Sequence, residues 1–484
     1  MAFISNKVLP QSSQTSVLLV CLPLMLPACG FLEYVAKPIN QQAVIQKFES
    51  KSPDSEQFKQ YLIYNNYKPS SFPITQWGLD DLTYCSLFFH PSLDVVRAQW
   101  RAAQASEATS ASRPLPTLSG NYGKGNNANE DISPYTYSLS IDIPIETANK
   151  RNIRIENAQH LSESVKLEIA QTAWNLRAQV ATTYNELLLN QTQLNLLSTE
   201  RSYRQEIVDL YQKRHDLGLA SKIELSHAKL LLQATIAELN SLQQNKVVLI
   251  AKLAGNLGLP LSRVEQMNLS LPIHGEEVTA KIQQILTSDI QSKALLNRLD
   301  LRIALERYAM AEAKLKLEIA KQYPDIKISP SYTYEFGNKV WSLGLSSLMT
   351  FINKNKFAIA EANQLREVEA AQFESLQSRI INEASAIRAK LTQAQQSLAD
   401  NTKLFAQQQE NTKRMLSLFS AGEIDRLELT MAKLEELISA KNLAIANFNV
   451  HTSINNLENT LQHPLNIQSE QSFQPNSIDA ASTY

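Results

Sequence analysis

Two long stretches of the chain carry a helical pattern of apolar positions and no helix-breaking residue. Residues 145–217 and 345–421 contain neither glycine nor proline and are rich in Ala, Leu, Gln and Glu, which favour helices. In the first stretch a coiled-coil seam is interrupted by the polar residues Thr183 and Asn190. The apolar seam residues are Ala173, Leu176, Val180, Leu187, Leu194 and Leu197. Each stretch predicts a helix of roughly 100 Å, which is too long and too polar to be a membrane span.

Each long helix ends at a similar motif. The segment GLASKIELSHAKL begins at Gly218 and GEIDRLELTMAKL begins at Gly422, an offset of 204 residues with six of thirteen positions identical. A glycine suits the left-handed end of a helix. The residue three positions later, Ser221 or Asp425, suits the N-cap of a returning helix, and the glutamate three residues further on completes a capping box. The motifs therefore predict the tips of two helical hairpins.

The same offset relates other parts of the chain, so the protein is predicted to contain two copies of one unit. Each copy is predicted to have a shorter leading helix, at 93–111 or 300–322. The returning helices are predicted at 221–254 and 423–461. In each copy two shorter helices therefore flank one long helix.

Between the leading helix and the long helix, the spacing of apolar residues changes from a helical period to a period of two residues, which is typical of a strand. In 135–143 (YTYSLSIDI) aromatic and aliphatic residues alternate with Ser, Thr and Asp, and 326–336 and 341–346 alternate similarly. Residues 117–122 provide a fourth strand. A soluble half-buried hairpin would alternate identically, but small polar residues opposite an aromatic-rich face are typical of barrel strands that face lipid. Because four strands cannot close such a barrel, we expect a trimer that supplies twelve.

Composition and charge exclude several classes of protein. With 12 glycines in 484 residues, the chain is expected to have few tight turns and long elements. A net charge of -1 offers no basic field for nucleic acid. The seven histidines contain no pair at helical spacing, so neither a metal site nor a cofactor is expected. The sequence also carries no phosphate-binding loop, nucleophile elbow or HExxH motif, which predicts that the protein is not an enzyme.

The N-terminal residues have the features of an export signal. An apolar run at 16–26 (SVLLVCLPLML) is followed by PACG, which is a lipobox that ends at Cys29. We expect residues 1–28 to be removed and the mature chain to begin with a lipidated Cys29. Ordinary cleavage after Ala28 is the alternative.

Taken together, these segments resemble the TolC-type outer-membrane efflux proteins, or outer membrane factors. The resemblance covers residues 78–465 and includes the repeat, both tip motifs, the opening segment WGLDDLTYCSLFFHPSLDVVRAQWRAAQA and the segment YPDIKISPSYTYEFGNKVWSLGLS. The segment DIPIETANKRNIRIENAQ is most similar to the heavy-metal cation efflux branch. The resemblance implies an α+β membrane protein with two repeats, each a strand pair plus long coiled-coil hairpins. Three chains would form a 12-stranded outer-membrane barrel and a periplasmic α-barrel.

The function that this resemblance implies is the exit duct of a tripartite efflux system. The homotrimer would be lipid-anchored in the outer membrane, extend into the periplasm, and work with a periplasmic adaptor and an inner-membrane transporter of the RND or ABC type. An exit duct for type I protein secretion is the alternative within the family. A non-channel periplasmic coiled-coil scaffold is an alternative of a different class, but it would not explain the four strands.

The resemblance and the repeat divide the chain into six expected segments. They are a lipoprotein signal peptide (1–28), a lipidated, extended N-terminal arm (29–77), a first efflux repeat (78–262), a connecting equatorial segment (263–290), a second efflux repeat (291–465) and a disordered tail (466–484).

The resemblance also implies two kinds of functional residue. The tips would be the surface that docks the adaptor, through Gly218, Leu219, Ala220, Ser221, Gly422, Glu423, Ile424 and Asp425. Glu428 falls at the position of the family's inward acidic ring near the periplasmic entrance and is expected to form a gate, in addition to its capping role. Met431 stands at the second acidic position of the family, so the chain departs from the two-ring pattern.

Replacing the lipobox cysteine tests the predicted anchor. Cys29→Ser is expected to abolish labelling by radioactive palmitate and to slow signal processing, because serine lacks the thiol that is acylated. The control Cys21→Ser changes a cysteine within the predicted signal peptide and should leave labelling unchanged. Undiminished labelling of Cys29→Ser would contradict the lipoprotein assignment.

Overall fold

The computed structural model describes residues 32–69, 71–126, 133–270, 295, 297–348 and 353–463. The predicted signal peptide, Cys29, most of the connecting segment and the predicted tail lie outside the described residues. Of the described residues, 32–50 belong to a unit of their own, in which helix α1 (Gln41–Glu49) is exposed along its whole length. The described residues from 51 onwards belong to a second unit, which holds the other described elements.

The second unit repeats one order of elements. After α2 (Glu56–Tyr64) and α3 (Leu79–Phe89), the first copy contains α4 (Pro91–Ala111), β1 (Thr117–Lys124), β2 (Tyr135–Ile145), α5 (Lys150–Asp216) and α6 (Lys222–Leu257). A short α7 (Leu261–Val264) follows, and the second copy contains α8 (Leu299–Ala320), β3 (Ile326–Glu335), β4 (Asn338–Ser347), α9 (Lys356–Ser420) and α10 (Arg426–Leu461). The predicted pairs of strands and hairpins are thus confirmed.

The long helices α5 and α9 are 67 and 65 residues long, and both start later than the first residue of the breaker-free stretches. The reason is that strands β2 and β4 extend into the beginning of those stretches. The turn from strand to helix is made by residues with left-handed backbone, including Asn149 at φ 60° and Asn355 at φ 52°. Asparagine tolerates this conformation better than most residues. None of the helices in the described ranges combines the length and the apolarity needed to cross a bilayer.

The coiled-coil seam of α5 is buried as predicted, except that Leu194 is only half-buried. Its polar interruptions are buried too, and both bond to the returning helix α6. Asn256 donates its amide to Thr183 Oγ1 (3.0 Å), and Asn190 donates to the carbonyl of Leu242 (3.1 Å). Because buried polar groups require partners, these two bonds favour one register between α5 and α6.

The four strands form one antiparallel sheet in the order β1-β2-β3-β4. Its register places aromatic residues together on one face: Tyr137 is opposite Tyr334, and Tyr332 is opposite Trp341. Along β2 the apolar residues are exposed and the polar residues are half-buried. This is the reverse of a soluble half-buried hairpin, in which the apolar face is covered. Within the described part of this single chain, β1 and β4 each have one unpaired edge.

The N-terminal arm is not extended throughout: Gln41–Glu49 and Glu56–Tyr64 are helical, so that prediction is wrong for these two segments. Helix α2 buries Phe58, Tyr61 and Leu62, and the ring of Phe58 packs on Phe89 at 5.5 Å between centroids. The side chain of Lys51 donates to the carbonyls of Phe89 (2.6 Å) and Gly258 (3.1 Å), at the ends of α3 and α6. The sequence prediction missed helix α2 because it is short and is flanked by proline, serine and asparagine. Its apolar residues are buried by contacts with other segments of the chain.

Two glycines at the C-terminal end of α6, Gly255 within the helix and Gly258 at its C-cap, test how closely this region is packed. Gly258 has φ +69°, and an added Cβ would lie 2.8 Å from both Cα of His90 and the carbonyl oxygen of Phe89. Gly258→Ala is therefore expected to lower the free energy of unfolding by more than about 1 kcal/mol. An added Cβ at Gly255 would have no atom within 4 Å, so Gly255→Ala should raise the free energy of unfolding by about 0.5 kcal/mol. Guanidinium unfolding followed by far-UV circular dichroism measures both, and equal transition midpoints would contradict the packing argument.

Candidate functional site: the hairpin tips

The first tip begins where α5 ends in a glycine with left-handed backbone. Gly218 has φ 73°, its N–H donates to the carbonyl of His215 (2.9 Å), and the N–H of Leu219 donates to the carbonyl of Arg214 (2.7 Å). This pair of bonds is the Schellman arrangement, which satisfies carbonyls that the end of a helix leaves free. The predicted left-handed helix end is confirmed.

The second tip has the same geometry. Gly422 has φ 76°, and its N–H donates to the carbonyl of Phe419 (3.0 Å). The N–H of Glu423 donates to the carbonyl of Leu418 (3.0 Å). An added Cβ at either tip glycine would have no atom within 4 Å, so only the backbone conformation requires glycine there.

Both returning helices begin with the predicted capping box. The backbone N–H of Ser221 donates to Oε2 of Glu224 (2.7 Å), and the N–H of Glu224 donates to Oγ of Ser221 (3.2 Å). At the second tip the N–H of Asp425 donates to Oε2 of Glu428 (3.1 Å), and the N–H of Glu428 donates to Oδ1 of Asp425 (3.0 Å). These reciprocal bonds satisfy N–H groups that the first turn of a helix leaves unpaired.

Hydrogen bonds from Ser221 change the acidity of the first capping glutamate. The backbone N–H of Ser221 lowers the pKa of Glu224, its hydroxyl adds to the effect, and the charge of Arg214 contributes further. The folded form therefore holds the ionised carboxylate more firmly than the unfolded form does. This contribution to stability is present above the usual pKa of glutamate and is lost as the pH falls through the lowered value.

The two tips are held together, although they lie more than 200 residues apart in sequence. Leu427 of α10 packs into a buried cluster formed by the first hairpin; the other members are Ile207, Val208, Leu225, Ala228 and Leu232. Arg214 forms an ion pair with Asp425, and Arg426 Nε lies 2.5 Å from Glu206 Oε1. The ion pairs are partly exposed and contribute modestly, whereas the buried cluster removes apolar surface from water.

The two tips present different chemistry to solvent. At the first tip Leu217, Leu219 and Ile223 are 73%, 74% and 81% exposed, and Ala220 beside them is half-buried. At the second tip Gly422, Glu423 and Asp425 are exposed and Ile424 is half-buried. The end of the molecule thus offers three aliphatic side chains next to two carboxylates.

Glu428 is exposed, and its carboxylate takes part in the capping box. The gate role that the resemblance implies remains a prediction, because it depends on how copies of Glu428 from several chains are arranged. The sequence did not point to Arg214 or Glu206, because their partners come from the other repeat. No group of three or more histidine, cysteine or acidic side chains within the described ranges is placed to hold a metal ion.

Replacing the first tip glycine tests the helix end. Gly218→Val is expected to destabilise the tip by about 1 kcal/mol, because a β-branched residue adopts left-handed backbone poorly. Amide hydrogen exchange over residues 214–225 should then become about fivefold faster. Gly218→Asn is the control, because asparagine tolerates this backbone, and it should remain close to the parent. Equal exchange in the valine and asparagine variants would count against the cap.

The first repeat matches a known protein family. Residues 86–258 fit the family model described as outer membrane efflux protein. Nodulation protein T of Rhizobium leguminosarum bv. viciae is 25% identical over 279 residues, which is 56% of each chain. The cobalt-zinc-cadmium resistance protein CzcC of Cupriavidus metallidurans is 23% identical over 257 residues, 51% of this chain and 57% of that protein. The chain therefore matches little more than half the length of these curated relatives.

Solved structures share the fold over most of the chain. The outer-membrane channel OprN superposes with a TM-score of 0.67 at 19% identity, over 90% of this chain and 99% of that one. VceC of Vibrio cholerae gives a TM-score of 0.65 at 17% identity, over 80% and 97%. CmeC of Campylobacter jejuni gives 0.59 at 14% identity, over 99% and 96%. This chain therefore shares the fold of these channels, with repeated strand pairs and helical hairpins, and its first repeat matches the outer membrane efflux protein family over residues 86–258.

Proposed function

We propose that this protein is the outer-membrane channel of a tripartite efflux system, which passes small molecules or ions from the periplasm to the outside of the cell. The observation that carries the proposal is the exposed apolar face of the four-stranded sheet, placed at the far end of α5 from the tips. A continuous apolar face of this kind needs either lipid or another protein to cover it.

The edges of the sheet support assembly into a closed barrel. In hydrocarbon an unpaired strand edge leaves backbone N–H and C=O groups without partners, at a cost of several kcal/mol for each group. Edge strand β4 can pair with β1 of a neighbouring chain, and a ring of three chains would give twelve strands without a free edge. A trimer is also what the resemblance to the TolC-type outer-membrane efflux proteins implies.

The tips support docking of a periplasmic adaptor. Leu217, Leu219 and Ile223 form an exposed aliphatic patch, and burying this patch against a partner protein would be favourable. Glu423 and Asp425 add negative charge that can select the orientation of the bound adaptor. An inner-membrane transporter of the RND or ABC type would supply the cargo through the adaptor. We assign docking to Gly218, Leu219, Ala220 and Ser221 and to Gly422, Glu423, Ile424 and Asp425.

Two alternatives fit less well. A periplasmic coiled-coil scaffold would use the helices but would leave the aromatic face of the sheet without a role. A type I protein secretion duct would use the same architecture, so the cargo and not the fold distinguishes it. The similarity to CzcC, which is named for cobalt, zinc and cadmium resistance, favours small cargo, with metal cations as one class.

The proposal also covers the two ends of the chain and its division into segments. Residues 1–28 would be the signal peptide, and a lipidated Cys29 would anchor the arm (29–77) in the outer membrane. The efflux repeats would span 78–262 and 291–465. A connecting segment (263–290) and a tail (466–484) would complete the chain.

Planar-bilayer recordings on the purified protein test the channel, and substitution of Glu428 tests the gate. Three copies of Glu428 around the axis would form an acidic ring that favours cations. Glutamine keeps the oxygen that accepts the N-cap N–H, so Glu428→Gln should preserve the helix and the assembly. It is expected to lower cation selectivity and the block by divalent cations.

The matched control is Glu224→Gln, which changes the equivalent capping residue of the first tip and should affect conductance much less. If both variants conduct like the parent, Glu428 is a capping residue and the gate assignment fails. If the parent neither conducts nor has the mass of a trimer in detergent, the channel proposal itself fails.

A further inference from the structure

The end of the sheet that is remote from the helices carries two lysines. Helices α4, α5, α8 and α9 connect to the strands at one end of the sheet, and the turns β1–β2 and β3–β4 lie at the other. Lys124 is the last residue of β1 and Lys339 is the second residue of β4, so both lie beside these turns. Lys339 is exposed, and the ammonium of Lys124 lies 5.9 Å from the centre of the Tyr135 ring.

The strand register places both lysines on the apolar face of the sheet. Lys124 is directly opposite Tyr135, and Lys339 is directly opposite Tyr334. Tyr334 is in turn opposite Tyr137, two residues along β2 from Tyr135. Because directly opposite residues project from the same face of a sheet, the lysines and these tyrosines share one face.

The apolar face carries charge of one sign. Asp142 and Glu335 are the acidic residues of the described strands, and both alternate to the opposite face, where Asp142 accepts a hydrogen bond from Ser329 (2.6 Å). Lys327, the remaining lysine of the described strands, lies opposite Pro144 on that other face, close to the helices. The described strands thus present two cations and no carboxylate on the apolar face.

An apolar hollow lies directly below Lys339 on the same face. It has a volume of about 340 Å³, and its lining residues are Leu139, Ile141, Pro330, Ser331, Tyr332 and Trp341. The ring centres of Tyr332 and Trp341 are 4.8 Å apart, and this pair lies one cross-strand row below the lysine. Trp341 is two residues along β4 from Lys339, which corresponds to about 7 Å. The ring of Pro330 is shorter than the two aromatic side chains, so space remains beside it.

We propose that Lys339 and this hollow bind a membrane lipid whose headgroup carries a phosphate, with the phosphate at the ammonium group and one acyl chain in the hollow. Lysine attracts phosphate as a point charge, and aromatic rings are typical of the boundary between headgroups and hydrocarbon. A soluble anion would gain nothing from the hollow, and a neutral lipid would gain nothing from the lysine. The combination therefore selects an anionic lipid.

The site rests on the proposed barrel, in which lipid covers this face, and goes further by naming the class of lipid and the residue that selects it. In a ring of three chains β4 lies beside β1 of the next chain, so Lys339 and Lys124 of that chain would share one corner of the sheet. Two ammonium groups suit a phosphate monoester, which carries close to two negative charges. With the tips in the periplasm, the turns face outward, so the lipid would belong to the outer leaflet.

Quenching of tryptophan fluorescence in vesicles tests the site, with Trp341 as the reporter. The purified full-length protein is reconstituted into phosphatidylcholine vesicles in which either phosphatidylcholine or added phosphatidic acid carries bromine near the headgroup end of its acyl chain. Bromine quenches a tryptophan that the acyl chain contacts, and the difference between the parent and Trp341→Phe isolates this residue. Phosphatidic acid is expected to occupy the site about fivefold more than its share of the vesicle predicts.

A variant and its matched control separate the site from general attraction to an anionic bilayer. Lys339→Gln removes the charge and keeps a similar length, so phosphatidic acid should lose most of its preference. Lys327→Gln removes a lysine from the other face of the same sheet and should keep the preference of the parent. Brominated phosphatidylcholine should quench Trp341 equally in all three proteins, because the substitutions leave the sheet in contact with lipid.

The outcomes distinguish the site from the barrel. If brominated phosphatidylcholine leaves Trp341 of the parent unquenched, lipid does not cover the sheet, and the channel proposal fails together with the site. If it quenches Trp341 but phosphatidic acid has no preference, the lipid-selective site is overturned and the channel proposal stands. The same conclusion follows if Lys339→Gln retains the preference or if Lys327→Gln loses it equally.

Discussion

The rest of the structure depends on the packing that covers helix α5. A helix gains little stability from its own hydrogen bonds in water, so one of 67 residues persists only if other elements bury its apolar side chains. Helices α4 and α8 pack on its first part, and α3, α6 and α10 pack on the remainder. Its buried residues accordingly extend from Lys150 to Val208. Because these covering helices come from both repeats, the repeats fold as a single unit instead of two domains.

Buried charges fix how the second repeat lies on the first. Arg177 of α5 and Glu458 of α10 form an ion pair at 2.7 Å with both side chains at most 6% exposed, and the guanidinium lies 5.6 Å from the ring centre of Trp174. A buried ion pair costs desolvation, and separating the partners costs more, so it favours a single register. Burial raises the pKa of the neighbouring Asp80, Arg177 opposes that shift, and the charge of Glu458 adds to it.

The proposed function follows from two exposed surfaces at the two ends of α5. The sheet lies at one end, where its apolar residues face outward, and the hairpin tips with their aliphatic side chains lie at the other, roughly 100 Å away. Monomeric soluble proteins rarely leave large apolar patches uncovered. Here the length of the helices keeps the two surfaces apart, so each is available to a different environment.

The sequence by itself determined the elements that depend on local periodicity and turn chemistry. A period of two predicted the strands, the absence of glycine and proline predicted the long helices, and the spacing from Gly218 to Glu224 predicted a helix end followed by a capping box. Such features involve residues within a few positions of each other, so their geometry is dictated by short stretches of chain.

The tertiary structure alone decided contacts between residues that are distant in sequence. The pairing of Arg214 with Asp425, the burial of α2 and the hollow below Lys339 each require helices or strands from separate segments to be brought together. A polar asparagine on a long helix has the same sequence pattern whether it bonds to a neighbouring helix, as Asn190 does, or is exposed, as Asn195 is. The difference arises from how the helices pack around each position, which depends on all the side chains at the contact.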